Sequence, residues 1–402
     1  MSTGSVARPI LSALRGSSAS LSSSVPFAST STFRFTPLSG PQILHRTGCK
    51  CGSVNGQTRS YSSYPSEKPS PLSSSVSAAQ GPPPVPRKKR TVLDLQSFKR
   101  KKIPITMLTA HDYPSARYIE AASLPSSSPS SSSSSSSTGA TTTTKRGIDI
   151  CLVGDSLAMV ACGYSSTTSL SLDELLYHCR SVARGCHTSL LIADLPFGTY
   201  HASISDGVKA AIRLIQEGNM DGVKIEGGEE IVPLVEHLTR MGIPVMGHIG
   251  LTPQRASSLG GFRVQGKTSA GALKVLKDAR ALDRAGVFSM VLEAVPSEIA
   301  EHVSERIQAP TIGIGAGNRT DGQVLVQLDM LGGDPSPSHI GPKFVKKFGN
   351  VGEEAVRGIR EYVDEVRGRS YPEEGQHTYP MKKEEFDGFL RAVEAEEEAE
   401  QR

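Results

Sequence analysis

The sequence predicts an α/β protein built as a (β/α)8 barrel, also called a TIM barrel. Short β-branched apolar runs alternate with stretches of helical periodicity, a pattern typical of parallel strands joined by crossover helices. Eight such runs lie between Ile105 and Leu328, and this number fits a closed barrel better than an open doubly wound sheet. Polar or charged residues end five consecutive runs, which is where barrel enzymes place their active residues.

The predicted strands are short and rich in Val, Ile and Leu. In chain order they are Ile105–Ala110, Ile148–Val153, Ser189–Asp194, Gly222–Glu226, Pro244–His248, Ser289–Glu293, Thr311–Gly315 and Gln323–Leu328. Helical patterns lie between most of them, with predicted helices at Ser171–Arg184, Ser205–Glu217, Glu229–Met241, Ala270–Ala285 and Pro296–Ile307. Strands and helices therefore alternate through most of the predicted barrel.

The last unit of the barrel is the least regular. Only Asn318 to Gly322 separates the seventh strand from the eighth, and this segment is too short for a crossover helix. The run Gln323–Leu328 also fits a helix, because periodicity alone does not separate short apolar strands from buried helical segments.

Composition differs sharply between the two ends of the 402-residue chain. Hydrophobic residues make up 37% of it, below the ~45–50% of a wholly globular protein. Residues 1–102 hold fifteen Lys and Arg against two acids, whereas residues 103–402 carry a net charge of −9. A net-negative catalytic portion argues against nucleic acid as a partner. Since no apolar run approaches ~20 residues, we also expect no membrane partner.

The first part of the chain has the composition of a mitochondrial transit peptide. Residues 1–66 contain seventeen Ser and six Lys or Arg but no acid, and such peptides are rich in Arg and Ser and poor in acids. Since Arg59-Ser60-Tyr61-Ser62 resembles a matrix-processing site, residues 1–61 are the predicted transit peptide and the matrix is the expected location. An ordinary disordered tail is the alternative. A secretory signal fits worse, because no clean apolar core follows a charged start.

Residues 62–90 are predicted to form a disordered linker rich in Pro and Ser. The linker ends in Arg87-Lys88-Lys89-Arg90, which also matches a nuclear localisation run, although a solvated linker suits a metabolic protein better. Immediately after it, Val92, Leu95 and Phe98 fall at three-residue spacing, which predicts a short helix packed on the following domain.

The catalytic barrel is expected to span residues 91–372. Within it, residues 123–146 are rich in Ser and Thr, and only Pro129 interrupts the serines from Ser126 to Ser137. Such a run cannot form a core of its own, so it is predicted to be an insertion in a surface loop. Residues 373–402 form a predicted acidic tail.

Charged and polar residues mark the carboxyl ends of strands two to six. Asp155 and Ser156 follow the second strand, Asp194 ends the third, Lys224 and Glu226 belong to the fourth, His248 ends the fifth and Glu293 the sixth. A single acid at a strand end is commonly a helix N-cap. Several carboxylates around one barrel mouth repel one another unless a cation holds them, and an all-oxygen set suits Mg²⁺ or a similar hard ion.

Lys224 and Glu226 stand two residues apart in one predicted strand. Alternate side chains of a strand project to the same face. One cation and one anion are therefore expected to reach the same pocket.

These and other segments closely resemble the ketopantoate hydroxymethyltransferase family, from about Thr91 to His377. Seven ordered motifs carry the resemblance: Thr109-Ala110-His111-Asp112-Tyr113, Leu152-Val153-Gly154-Asp155-Ser156-Leu157, Ala193-Asp194-Leu195-Pro196-Phe197, Val223-Lys224-Ile225-Glu226-Gly227-Gly228, Gly247-His248-Ile249-Gly250-Leu251-Thr252-Pro253-Gln254, Gly260-Gly261-Phe262-Arg263-Val264-Gln265-Gly266 and Gly313-Ile314-Gly315-Ala316-Gly317. The resemblance implies a barrel of the phosphoenolpyruvate/pyruvate type and a homo-oligomer, usually a decamer. It also implies Mg²⁺ as the metal.

The resemblance further implies a role for each polar strand end. Asp155 and Asp194 look like direct Mg²⁺ ligands beside the substrate, with Glu226 joining the metal shell through water. Ser156 and Lys224 look like binders of the oxoacid's carboxylate and carbonyl, His248 like a pocket residue near the new hydroxymethyl group, and Glu293 like the general base.

The implied reaction transfers a hydroxymethyl group from 5,10-methylenetetrahydrofolate to 3-methyl-2-oxobutanoate and gives 2-dehydropantoate. The residue types suit this chemistry, because a carboxylate cannot remove a hydrogen beside a ketone unassisted. A metal bound to the substrate's oxygens stabilises the developing enolate, and Glu293 then needs only hydrogen-bond reach of the C3 proton. A small 2-oxoacid and a folate are therefore the expected partners.

Other functions remain as alternatives at this point. A carbon–carbon lyase or phosphonate mutase of the same superfamily would use a similar Mg²⁺ site, but the Lys-Lys-Cys-Gly-His loop of those lyases is absent. A catalytically inactive scaffold is disfavoured, since each proposed ligand position holds a competent residue.

Two weaker signals are interpreted as structural. The glycines of Gly313 to Gly317 lack dinucleotide-binding spacing and are expected to let the barrel mouth admit a ligand. The pairs His178/Cys179 and Cys186/His187 match no zinc spacing, so free thiols are expected.

Overall fold

Eight parallel strands close into a barrel in the computed structural model, which describes residues 88–123, 147–336 and 341–402. The strands are β1 (Ile105–Thr109), β2 (Ile150–Val153), β3 (Leu190–Asp194), β4 (Gly222–Glu226), β5 (Val245–Gly250), β6 (Ser289–Glu293), β7 (Thr311–Ile314) and β8 (Gly322–Leu325). Each strand pairs with the next in the chain, and β8 closes the ring against β1. The predicted (β/α)8 barrel is confirmed.

Helices separate most of the strands and cover the outside of the barrel. They are α1 (Val92–Arg100), α2 (Tyr113–Ser123), α3 (Leu157–Val160), α4 (Leu172–Ala183), α5 (Ile204–Gln216), α6 (Val232–Arg240), α7 (Ala256–Leu259), α8 (Ser269–Arg284), α9 (Ser297–Ser304), α10 (Gln327–Met330), α11 (Val351–Gly368) and α12 (Lys383–Glu400). The five predicted helices are present, with ends shifted by a few residues. At the start of α4, Ser171 and Glu174 form a reciprocal capping box, which satisfies N–H groups that the first turn leaves unpaired.

The eighth unit corrects the prediction of one strand at Gln323–Leu328. The strand ends at Leu325, the last residue paired with β1, and α10 begins two residues later. The backbone N–H of Gln327 donates to Thr109 Oγ1 at 2.9 Å, which turns the chain away from the ladder. The predicted strand and its helical alternative therefore each describe half of this segment.

Two apolar layers build the core. Side chains such as Ile105, Ile150, Ile192 and Ile312 fill the barrel interior, and a larger cluster lies between the strands and the surrounding helices. Leu95 of α1 is fully buried in the interior layer, so the predicted short helix is confirmed and covers the amino-terminal end of the barrel.

Lys99 fixes α1 in this position through three contacts. Its ammonium donates to the carbonyls of Ser304 at 2.8 Å and Ala309 at 3.2 Å, and to Asp321 Oδ2 at 2.8 Å. With the amino-terminal end of the barrel covered, the carboxyl ends of the strands face the open side.

The chain after the barrel forms two helices with few buried residues. Within α11 only Gly352 is buried, and α12 has no buried residue. Because α12 lies within residues 373–402, the predicted acidic tail is largely helical. No helix in the described part of the chain is long and apolar enough to cross a membrane. The predicted transit peptide, nearly all of the linker and residues 124–146 of the insertion lie outside the described residues.

Candidate active site

A cavity of about 100 Å³ lies at the carboxyl ends of the strands and brings together all seven residues singled out in the sequence. They are Asp155, Ser156, Asp194, Lys224, Glu226, His248 and Glu293. Parallel strands place their carboxyl ends at one end of a barrel, which is why residues far apart in sequence meet here. A larger cavity of about 590 Å³ beside α1 contains none of them.

The alternation of β4 decides which of its side chains enter the cavity. Lys224 and Glu226 both line it, whereas Val223 and Ile225 belong to the apolar layer under the helices. The expected common face of Lys224 and Glu226 is thus present, and both residues are buried.

A chain of charged contacts crosses the cavity from β3 to β6. Lys224 Nζ lies 2.8 Å from Asp194 Oδ1 and 3.1 Å from His248 Nδ1. The same imidazole lies 3.4 Å from Glu226 Oε1 on one side and 3.1 Å from Glu293 Oε2 on the other. His248 therefore connects the carboxylate of β4 with that of β6.

These contacts shift the pKa values of the two basic groups upward. Burial alone would lower the pKa of Lys224, but the neighbouring carboxylates, led by Asp194, outweigh burial and raise it. Burial and the charge of Lys224 act to lower the pKa of His248, yet its two carboxylate neighbours raise it to about 9. The carboxylates of the cavity therefore favour the charged form of both groups.

The pKa values of two carboxylates, Asp155 and Glu226, shift in opposite directions. Burial, followed by the charges of Asp194 and Glu226, raises the pKa of Asp155 well above its usual range. Burial would also raise the pKa of Glu226, but the contact with His248 and the charge of Lys224 lower it. Positive charge therefore compensates Asp155 less than it compensates Glu226.

Gln254 is a polar residue of the site to which the sequence interpretation gave no role. It is buried in a short 3-10 helix, Pro253–Arg255, that follows β5. Its side-chain amide donates to Asp155 Oδ2 at 2.8 Å and to the Leu195 carbonyl at 2.9 Å. Its backbone N–H donates to Glu226 Oε2 at 3.0 Å, so one residue holds two carboxylates of the cavity.

Tyr200 supports Gln254 from the connection after β3. Its hydroxyl lies 2.8 Å from Gln254 Oε1 and 3.1 Å from the Glu226 carbonyl oxygen. Neither residue ends a strand. A periodic pattern in the sequence therefore could not identify them.

The chemistry of the site fits a hard cation. Four carboxylates face two basic groups, which leaves an excess of negative charge, and all the carboxylate ligands offer oxygen. Asp194 Oδ1, Glu226 Oε1 and His248 Nε2 are buried without a hydrogen bond of acceptable geometry, although each has a charged neighbour. Within the described ranges, no three His, Cys, Asp or Glu side chains already stand together as a ligand set. The residues fit Mg²⁺ by charge and donor type, and their side chains must turn to bind it.

Two of the glycines after β7 have a packing role. A Cβ at Gly315 would lie 2.7 Å from the ring of Phe344, and one at Gly317 would lie 2.2 Å from Ser297 Oγ. Both glycines also have positive φ angles. They therefore make room for packed side chains, and access of a ligand past Gly313 to Gly317 stays a prediction. Among the described cysteines, Cys151, Cys162, Cys179 and Cys186 are free thiols.

The chain is similar to known proteins of one family. A family model described as ketopantoate hydroxymethyltransferase matches residues 130–374. The 3-methyl-2-oxobutanoate hydroxymethyltransferase of Emericella nidulans is 51% identical over 308 residues, which cover 77% of this chain and 81% of that protein. The 3-methyl-2-oxobutanoate hydroxymethyltransferase 1, mitochondrial, of Arabidopsis thaliana is 44% identical over 77% of this chain and 84% of that protein.

Among solved structures, the chain is similar to a phosphonopyruvate hydrolase in complex with oxalate and Mg²⁺. The TM-score is 0.44 at 14% identity, with 76% of this chain and 98% of the other covered. By the family model and the curated relatives, this chain belongs to the ketopantoate hydroxymethyltransferase family.

Proposed function

We propose that the chain transfers a hydroxymethyl group from 5,10-methylenetetrahydrofolate to 3-methyl-2-oxobutanoate, giving 2-dehydropantoate in pantothenate synthesis. Membership of the ketopantoate hydroxymethyltransferase family supports the proposal. The observation that carries it is the meeting of seven polar strand-end residues in one small cavity.

Asp155, Asp194 and Glu226 would hold Mg²⁺, the last through water. When bound, the ion supplies Lewis-acid stabilisation to oxygens that gain negative charge. Ser156 and Lys224 bind the carboxylate and carbonyl of the oxoacid, and the buried ammonium of Lys224 adds a positive charge where the enolate oxygen develops.

Glu293 acts as the general base that removes the C3 proton. Its side chain is 14% exposed and lies 3.1 Å from His248 Nε2, so the imidazole of His248 orients the carboxylate at the rim of the cavity. His248 lies between Glu226 and Glu293 and faces the region where the new hydroxymethyl group forms. The enolate carbon then forms a C–C bond to the one-carbon unit, whose bonds to the folate nitrogens break. Water supplies the oxygen of the hydroxymethyl group, and tetrahydrofolate is released.

Deuterium exchange at C3 of 3-methyl-2-oxobutanoate tests the central step without folate. Glu293→Gln keeps the shape of the side chain but cannot accept a proton at neutral pH. Removal of a positioned general base should slow exchange by ~10²–10⁴, as followed by NMR in the presence of Mg²⁺, while oxoacid affinity changes little.

Glu298→Gln is the matched control, since Glu298 is an exposed acid in the first turn of α9. It should exchange deuterium at the wild-type rate. If Glu293→Gln also exchanged as fast as wild type, Glu293 would not be the base. Assay of the full reaction with both substrates then tests transfer itself.

We further propose that the mature protein works in the mitochondrial matrix and that residues 1–61 direct its import. The absence of acids and the many Ser and Arg in this segment support the proposal, as does the mitochondrial name of the Arabidopsis thaliana relative. A fusion of residues 1–61 to a fluorescent reporter should enter mitochondria, and a diffuse cytosolic signal would contradict targeting.

A homo-oligomer, a decamer by the resemblance, is proposed as the working form. Apolar side chains of α11 support association, since Ile359 is 63% and Tyr362 58% exposed and exposed apolar patches mark interaction surfaces. Sedimentation of the full chain measures the size, and a monomer at assay concentration would contradict it.

A further inference from the structure

Thr167 lines the same cavity but does not belong to a strand end. It begins a short 3-10 helix, Thr167–Ser169, in the connection between α3 and α4. The residue is only 4% exposed. It shares the cavity with Asp155 and Ser156, which stand twelve and eleven residues earlier, between β2 and α3.

The hydroxyl of Thr167 is buried without a hydrogen-bond partner in the described protein. Other buried hydroxyls of the barrel are paired: Ser289 Oγ donates to the Pro310 carbonyl at 2.8 Å, and Ser304 Oγ lies 2.6 Å from Thr311 Oγ1. A buried hydroxyl left unpaired is unfavourable. One that faces a substrate cavity is therefore suited to a ligand.

The charge pattern of the cavity indicates which ligand group this would be. The carboxylate of a 2-oxoacid and its carbonyl only accept hydrogen bonds, so donors must hold them. The cavity is rich in acceptors, and its buried ammonium, Lys224, already lies against Asp194 and His248. Three hydroxyl side chains line the cavity, those of Thr109, Ser156 and Thr167. Thr109 Oγ1 already accepts from the backbone N–H of Gln327, whereas the hydroxyl of Thr167 has no partner in the described protein.

We propose that Thr167 is a substrate-binding residue whose hydroxyl donates a hydrogen bond to an oxygen of the 2-oxoacid in this cavity. The proposal rests on the proposed function and adds a contact from the connection after β2. Thr167→Val is nearly isosteric and removes only the hydroxyl. In the free protein it removes an unpaired polar group, whereas in the complex it removes a hydrogen bond.

The test measures the two effects separately. Calorimetric titration of 3-methyl-2-oxobutanoate into the full chain with Mg²⁺ should give about 3- to 10-fold weaker binding for Thr167→Val than for wild type. Thermal unfolding without ligand should show an unchanged or higher midpoint. Thr167→Ser keeps the hydroxyl and should restore most of the affinity.

Thr168→Val is the matched control, because Thr168 is the exposed neighbour whose hydroxyl lies 2.8 Å from Ser166 Oγ. It should bind the oxoacid as wild type does. Wild-type affinity in Thr167→Val would overturn the inference alone. A lower unfolding midpoint in Thr167→Val together with weak binding in Thr167→Ser would also overturn it, since both indicate a structural role. A wild-type protein that binds no oxoacid would overturn the proposed function as well.

Discussion

Individual carboxylates contribute very differently to the stability of the empty cavity. Asp194 is compensated by Lys224 at 2.8 Å, so its loss leaves a buried ammonium without its nearest anion. Among the described contacts, the side chain of Asp155 accepts one hydrogen bond, from the neutral amide of Gln254. The negative charges of Asp194 and Glu226 also repel it. Substitutions of these two proposed metal ligands should therefore change the free energy of unfolding by different amounts.

Asp155→Asn and Asp194→Asn test this separation. Both should lose Mg²⁺ affinity in calorimetric titration with the oxoacid present. In chemical denaturation without metal, Asp194→Asn should lower the free energy of unfolding by about 3–5 kcal/mol, the cost of breaking a buried ion pair. Asp155→Asn should be neutral or stabilising, because it removes a repelled carboxylate.

The control for both is Asp112→Asn, a partly exposed acid after β1 at the same end of the barrel. It should bind Mg²⁺ as wild type does. Wild-type Mg²⁺ affinity in both Asp155→Asn and Asp194→Asn would contradict the metal assignment.

At the residue scale, the sequence predicted the side chains at or just after strand ends and missed those farther along the connections. Asp194, Glu226 and Glu293 were predictable because a parallel barrel brings strand ends together whatever the loops do. Thr167 lines the cavity and Gln254 contacts its carboxylates through loops whose paths depend on tertiary contacts. Local sequence patterns carry little information about such paths.

At the element scale, the 3-10 helix Pro253–Arg255 connects residues at the carboxyl ends of several strands through hydrogen bonds. Gln254 in this helix bonds to groups that follow or end β2, β3 and β4. Tyr200 adds a contact from the connection after β3. Three neighbouring strands are thus tied together by a connection that belongs to a fourth.

Gln254→Leu should remove the side-chain hydrogen bonds that connect these strand ends. The substitution keeps the approximate size but leaves the Leu195 carbonyl and Asp155 without the amide donor, and an unpaired buried polar group costs about 1–3 kcal/mol. Urea denaturation of the metal-free protein measures the loss. Tyr200→Phe removes the two contacts of the Tyr200 hydroxyl, with Gln254 Oε1 and the Glu226 carbonyl oxygen, and should cost less. Unchanged stability in Gln254→Leu would show that the amide is not needed to hold the mouth together.

Strands and helices were largely predictable, whereas the eighth unit was not. Runs such as Ile150–Val153 have one structural solution, because turn signals and helical periodicity bound them on both sides. The segment from Gly322 onward is apolar, but no turn signal or helical periodicity marks where its strand ends. Its strand ends where pairing with β1 ends and where Gln327 bonds to Thr109, both of which depend on residues more than 200 positions away.

At the scale of the whole molecule, we propose the domain organisation expected from the sequence: a catalytic barrel over residues 91–372, an insertion at 123–146 and an acidic tail over 373–402. One contact supports the insertion. The backbone N–H of Ile148 donates to Ser123 Oγ at 3.3 Å, so the chain leaves and re-enters the barrel at neighbouring points.

Deletion of Ser126 to Thr144 should therefore leave the barrel closed and active. Seven residues then remain between the end of α2 at Ser123 and the start of β2 at Ile150, close to the usual length of a connection between a helix and a strand. The removed run has little to bury, and changing the length of a loop costs only ~0.6 kcal/mol per doubling.

The unfolding midpoint and the rate of C3 deuterium exchange should both stay close to those of the full chain, with exchange within a few-fold. A variant in which the same run is replaced by a Gly/Ser sequence of equal length separates length from composition. If the deletion aggregated while the replacement remained active, the length of the insertion would be structural. If both lost exchange, the Ser/Thr sequence itself would be required, because neither the strand ends nor the connections that line the cavity are changed.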